Sequence, residues 1–224
     1  VLLDNDPNNI MSLLEIPAGA SLVLTIDREI QAMAEEVLDQ SLENNGAEGG
    51  TIVIMEPETG EILAMAVQPR MDLNEYWLYG DIYKIGTEHE LPFNRAIGTT
   101  YEPGSVFKVL TMAAALDAGA VTPDTVMLDT GTFWIGGVAI HNWDRGARGP
   151  VDMTSCMRYS LNVCLSWIAN ELGPTRFYEY MRRFGIGQPT HIDLVGEGNF
   201  PLAIPGSANW YEVNLGTNSF GQGV

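Results

Sequence analysis

The sequence predicts an α/β domain of the mixed (α+β) kind: an antiparallel sheet flanked by helices on both faces, with its C-terminal strands missing. Three features predict it. Thr51-Ile-Val-Ile-Met55 and Glu61-Ile-Leu-Ala-Met-Ala-Val67 are strand-forming runs on either side of Glu56-Pro-Glu-Thr-Gly60, a turn with Pro and Gly where a hairpin loop uses them. The second run is apolar on both faces, Ile62, Ala64 and Ala66 on one and Leu63, Met65 and Val67 on the other, so it needs cover on each side. Segments of helical periodicity precede and follow the pair and would supply that cover.

Taken in order, residues 1–20 are irregular, with Asp4-Asn-Asp-Pro-Asn-Asn9 early and Pro17-Ala-Gly19 late, and read as a linker into a domain over 21–224. Ser21-Leu-Val-Leu-Thr-Ile26 reads as a short strand. Asp27 then caps a helix whose Ile30, Met33, Ala34, Val37 and Leu38 fall at helical spacing, and Asn44-Asn-Gly46 ends it. After the hairpin, a loop-rich stretch runs from Pro69 to Tyr101. A helix follows from Ser105 to Ala118, stopped by Gly119. Thr132-Phe-Trp-Ile135 and Val138-Ala-Ile140 form a second hairpin about Gly136-Gly137. Helices return over Met153–Tyr159, Val163–Leu172 and Thr175–Phe184, and the last 40 residues are rich in Gly and Pro with little periodicity. Two central strands do not make a stable sheet, so their partners are expected beyond Val224. The opening Val1-Leu2-Leu3, without an initiator Met or a signal peptide, reads as a piece of a longer protein.

Composition narrows the function. With 29 acidic residues against 11 basic ones and a net charge of -18, the surface repels phosphate backbones, which argues against nucleic-acid binding. No run of 18 apolar residues is present to span a membrane. Cys156 and Cys164 form neither a disulfide framework nor a metal motif and read as two buried free thiols; no metal or cofactor is expected. His89 and His191 read as exposed loop residues, Trp134, Trp167 and Trp210 as core, and the polar-aromatic run His141-Asn-Trp-Asp144 as a loop or turn, with the lining of a cleft as its alternative.

The chemistry concentrates on one of only two lysines. Lys108 lies in Ser105-Val-Phe-Lys-Val-Leu-Thr-Met-Ala-Ala-Ala-Leu116, apolar all round apart from small hydroxyls, which is the pattern of a buried helix. Burying an ammonium lowers its pKa and turns the lysine into a possible base. Ser105 lies three residues earlier on the same face, at the helix start, where free N–H groups favour developing negative charge. The plainer alternative is a serine N-cap with a snorkelling lysine. For Ser160 and Asn162, between two helices, the plainer alternative is ordinary capping.

The surrounding motifs favour the chemical reading. Asn94-Arg-Ala96, Tyr101-Glu-Pro-Gly-Ser-Val-Phe-Lys108, Tyr159-Ser-Leu-Asn-Val163 and Ser219-Phe-Gly-Gln-Gly223, with Leu24-Thr-Ile-Asp27 and Glu58-Thr-Gly60 upstream, resemble penicillin-binding transpeptidase domains in order and spacing. The resemblance covers residues 20–224 and is nearest to the monofunctional (class B) peptidoglycan D,D-transpeptidases; Asn162 argues against class D β-lactamases. It implies a β-lactamase/transpeptidase-like fold and a serine acyltransferase that crosslinks stem peptides and binds β-lactams covalently. Ser105 would be the nucleophile, Lys108 its base, Ser160 a proton relay and Asn162 a substrate-binding amide that also orients Lys108. The Ser105 N–H would form half of an oxyanion hole. The family's third motif, Lys-Thr-Gly or Lys-Ser-Gly, has no counterpart, since no lysine follows Lys108. The resemblance further implies an N-terminal membrane anchor, an extracytoplasmic location, and membrane glycosyltransferase and divisome or elongasome partners. The alternative function is a non-catalytic penicillin-binding homologue acting as a scaffold or sensor.

Overall fold

The computed structural model describes residues 21–88, 90–198 and 200–224. The expected linker over 1–20 and His89 lie outside them. The chain divides into two compact units, the first reaching Ile82 and the second running from Tyr83 to Val224.

The first unit is built on α1 (Arg28–Asn45), β1 (Gly50–Met55) and β2 (Ile62–Gln68). Asp27 accepts from the Glu29 and Ile30 N–H groups and so satisfies donors the first helical turn leaves open. Gly46 closes the other end at φ 62°, a left-handed conformation that suits glycine. β1 and β2 pair antiparallel, Ile52 opposite Ala66 and Ile54 opposite Ala64. That face packs on Ala34 and Leu38 of α1. Gln31 fastens helix to strand, accepting from Met65 N–H at 2.7 Å and donating to Met65 C=O at 3.2 Å. On the opposite face Val53 and Met55 are exposed. The strand expected over 21–26 is not formed. Thr25 Oγ1 donates to Ile62 C=O and Asp27 N–H to Leu63 C=O, but Leu22, Val23 and Leu24 are exposed and join no ladder among the described residues. A 3-10 stretch, Leu73–Leu78, and α2 (Tyr79–Ile82) complete the unit.

The second unit comprises α3 (Arg95–Gly98), a 3-10 turn Gly104–Phe107 running into α4 (Lys108–Asp117), strands β3 (Val126–Asp129), β4 (Thr132–Ile135), β5 (Val138–His141) and β6 (Gly149–Asp152), and helices α5 (Met153–Arg158), α6 (Asn162–Leu172), α7 (Pro174–Arg183) and α8 (Glu212–Asn218). Its centre is α6, where Val163, Cys164, Leu165, Ile168, Ala169 and Leu172 are fully buried. The two-glycine hairpin forms as expected, with Gly136 and Gly137 both at positive φ. The β3–β6 pair was not expected, because Val126 and Leu128 of β3 are exposed while only Met127 and Asp129 face inward. Neither was α8 expected, since seven residues containing Gly216 carry little periodic signal. The sulfur atoms correct another expectation: Cys156 and Cys164 form a disulfide. Eight residues on one continuous helix would lie about 12 Å apart. The reversal at Tyr159-Ser160-Leu161, with Ser160 at φ 52°, instead folds α5 against the start of α6 and brings the two Cα atoms to 5.9 Å. Trp134 is exposed rather than core, while Trp167 and Trp210 are half-buried. Among the described residues no helix is long and apolar enough to cross a membrane.

Candidate active site

α4 is buried on one face only. Lys108, Thr111, Met112 and Ala115 point inward at helical spacing, while Val109 and Leu116, with Val106 in the 3-10 turn before them, are exposed. The all-round burial expected from composition is therefore half realised, but Lys108 is on the covered side, 1% exposed. Ser105 sits one turn earlier, exposed, in the 3-10 entry to the helix.

The Lys108 ammonium reaches across to the junction of α5 and α6. Its Nζ lies 2.8 Å from the Ser160 carbonyl oxygen, 2.9 Å from Ser160 Oγ and 2.7 Å from Asn162 Oδ1. Three sequence-predicted residues thus meet at one nitrogen, and Ser105 is not among its partners. All three acceptors are neutral, so none offsets the loss of water as a carboxylate would. Burial accordingly pulls the lysine from its ordinary 10.5 down to about 8. The same geometry suits the neutral amine. It would donate to the Ser160 carbonyl and Asn162 Oδ1 and turn its lone pair to Ser160 Oγ–H, so one hydroxyl rotation accommodates either protonation state. The Phe220 ring, 6.0 Å from Nζ at its centroid, adds to the low polarity.

The segment Ser219–Gly223 buttresses the start of the helix from the far end of the chain. Gly104 N–H donates to Gly221 C=O at 3.0 Å, Thr111 Oγ1 to Ser219 C=O at 2.8 Å, and Gly223 N–H to Glu102 Oε1 at 2.9 Å. Gly221 has φ 81°, and a Cβ there would overlap the Gly104 backbone, 2.6 Å from its nitrogen. Behind this segment, buried Tyr178 donates to Asn218 Oδ1 and accepts from Trp210 Nε1, while Asn218 Nδ2 donates to the Gln222 and Gly223 carbonyls.

Two residues that read as loop lie beside the site. Asn162 Nδ2 donates to His141 C=O at 3.2 Å, and Val163 N–H donates to Asn142 Oδ1 at 3.2 Å. Trp143 and Asp144 of the same run are exposed, and His191 is too. Among the described residues no group of three His, Cys, Asp or Glu side chains could hold a metal ion.

Known proteins carry the same arrangement of sequence and fold. The chain is 32% identical over 208 residues to penicillin-binding protein PbpB of Mycolicibacterium smegmatis, covering 92% of this chain and 30% of the relative. It is 31% identical over 214 residues to the peptidoglycan D,D-transpeptidase FtsI of Escherichia coli, covering 96% of this chain and 34% of the relative. A crystal structure of penicillin-binding protein 3 of Mycobacterium tuberculosis, complexed with aztreonam, superposes with a TM-score of 0.77 at 29% identity, covering 91% of this chain and 44% of that one. The chain spans about a third of the length of these curated relatives. Residues 50–224 match the family model described as the penicillin binding protein transpeptidase domain, and the chain belongs to that family.

Proposed function

We propose that the protein carrying this chain is a peptidoglycan D,D-transpeptidase, a serine acyltransferase, and that residues 21–224 form the N-terminal part of its catalytic domain. The observation that carries the reading is Lys108, buried without a counter-ion and held by Ser160 and Asn162 one helical turn from an exposed serine. A lysine shifted to about 8 has a substantial neutral fraction near neutral pH, as a base for a hydroxyl requires.

In this mechanism Ser105 Oγ attacks the carbonyl carbon of the penultimate D-alanine of a stem peptide as the Ser160 hydroxyl turns away from Lys108 Nζ and frees its lone pair to take the Ser105 proton. The tetrahedral oxyanion is met by the Ser105 N–H at the open start of the helix. Collapse breaks the C–N bond, and the proton returns through Ser160 Oγ to the departing D-alanine amine. The amine of a second stem peptide then attacks the ester, forming the crosslink and restoring the Ser105 hydroxyl. Asn162 keeps one amide N–H on the His141 carbonyl and offers the other to the substrate backbone. A β-lactam follows the first half of this course and stays attached.

Intact Ser105, Lys108, Ser160 and Asn162 favour the enzyme over a scaffold. The buried disulfide suits an oxidising compartment, which supports a domain on the extracytoplasmic face of a membrane; membrane glycosyltransferase and divisome or elongasome partners are proposed from the family alone. Labelled penicillin should attach to Ser105 in the full-length protein and be lost in Ser105→Ala. Labelling that persists in Ser105→Ala, mapped by peptide mass, would overturn the assignment.

A further inference from the structure

We infer that Asn142 is a positioning residue for this site: gripped by the buried Asp129 carboxylate, its amide fixes the first turn of α6 and thereby holds Ser160 and Asn162 against Lys108. The inference rests on the acyl-transfer reading above and goes beyond its four named residues.

α6 begins without a side-chain cap of its own. Leu161 occupies the N-cap position of α6 and has no side chain able to accept a hydrogen bond. The open Val163 N–H is satisfied instead from β5's end, 21 residues earlier, by Asn142 Oδ1 at 3.2 Å. Asn142 is 2% exposed, and its Nδ2 faces three acceptors: Asp129 Oδ1 at 3.1 Å, Asp129 Oδ2 at 3.0 Å and the Gly146 carbonyl at 3.0 Å. Only one orientation of the amide works. Flipped, its oxygen would face three other oxygens and its N–H₂ would face the Val163 N–H.

Asp129 holds Asn142 in turn. It is 1% exposed and accepts from Gly131 N–H at 2.9 Å and Arg148 N–H at 3.0 Å besides the two contacts from Asn142. Its position is therefore set by backbone on two sides. Beside Asn142, the His141 carbonyl takes the Asn162 amide, so consecutive residues of one strand end grip consecutive residues of the helix start. Asn162 Oδ1 and both Ser160 acceptors stand within 2.9 Å of Lys108 Nζ, so a shift of α6's first turn alters every hydrogen bond of the base. Buried networks of this kind fix geometry because leaving any member unpaired is costly.

The test measures acylation of the full-length protein by labelled penicillin, resolved into the dissociation constant of the reversible complex and the rate constant of the covalent step. Both values are referred to the folded fraction from thermal melts. Asn142→Ala should lower the covalent rate constant at least about tenfold and raise the dissociation constant by a smaller factor, through the displaced Asn162 amide. Asn142→Asp keeps the residue's size and its acceptor for Val163 but sets one carboxylate against another. It should lose a similar factor, and it decides the matter if Asn142→Ala does not fold. Covalent rate constants within about twofold of wild type would overturn the inference, and so would a loss confined to the dissociation constant. A wild-type protein that takes no label at Ser105 would instead overturn the acyl-transfer reading.

Discussion

The depressed basicity of Lys108 fixes how acylation should respond to pH. With the lysine near 8, about one molecule in a hundred carries the neutral amine at pH 6, about one in ten at pH 7 and about nine in ten at pH 9. If Lys108 takes the Ser105 proton, the second-order rate constant for labelled penicillin should rise about tenfold per unit between pH 6 and 7. It should bend near 8 and level off above 9, with an overall gain of about 90-fold from pH 6 to 9. The carboxylate of the penicillin stays ionised throughout. A lysine at its ordinary 10.5 would leave the profile still climbing tenfold per unit at pH 9. Rapid quenching on a full-length sample across this range separates the cases. A rate constant flat from pH 6 to 9, or one still steep beyond 9, would refute the assignment of Lys108 as a desolvated base.

The same shift has a second consequence, of known sign, in stability. The folded-state value lies below the unfolded one, so between pH 8 and 10.5 the unfolded chain binds the proton more tightly. The penalty for burying the ammonium is full below 8, fades as pH rises through that window and is gone above 10.5. At about 1.4 kcal/mol per pH unit, the unfolding free energy should gain about 3 kcal/mol across the window relative to Lys108→Met, which has no such group. Denaturant melts of the two proteins at pH 7, 8, 9 and 10 measure the difference. Parallel curves would show that Lys108 keeps its ordinary basicity.

Gly221→Ala should act on Ser105 from 116 positions away in sequence. The added Cβ strikes the Gly104 backbone and strains a φ of 81°, so the acylation rate should fall about a hundredfold through displacement of the nucleophile, with a lowered melting temperature. Acylation within threefold of wild type would show that the Gly104–Gly221 contact does not set Ser105. Replacing both Cys156 and Cys164 by Ala should lower stability by about 2–3 kcal/mol, the chain-entropy value for so short a loop, read in denaturant melts. Intact mass after alkylation in denaturant without reductant should show no added alkyl groups; two added groups would remove the disulfide.

The distribution of what was legible in the sequence follows from where each signal resides. Lys108 drew notice because a lysine in an apolar run is anomalous in itself, with Ser105 one turn earlier at a helix start. The chemical reading of these two, and of Ser160 and Asn162 between two helices, came from the resemblance to penicillin-binding transpeptidase motifs, since local pattern alone fits ordinary capping. The first hairpin and its covering helix could be read locally, since Asp27, Gly46 and Gly60 punctuate elements whose periodicity is regular. Asn142 had no such mark. The polar-aromatic run His141-Asn-Trp-Asp144 allowed a cleft lining beside an ordinary turn, but nothing in it shows that Asn142 caps a helix 21 residues away. Cys156 and Cys164 were misread because their spacing is uninformative until Ser160 takes up its left-handed conformation, and no residue type announces a serine at φ 52°.

These omissions share a location. Asp129, Asn142, Cys156 and Cys164 all converge on the stretch from Met157 to Val163, the segment that presents both Ser160 acceptors and Asn162 to the lysine. That segment contains a left-handed serine and a helix start with no cap of its own, so local preference alone would not hold it. Three hydrogen bonds to a buried amine within 2.9 Å nevertheless demand that it be held. The long-range contacts answer that demand: the disulfide ties α5 to α6, and the Asn142 amide seats the first turn of α6 on the end of β5. A base whose strength depends on exclusion of water and on three neutral acceptors needs its acceptors fixed, and here the fixing comes from residues that no local pattern could reveal.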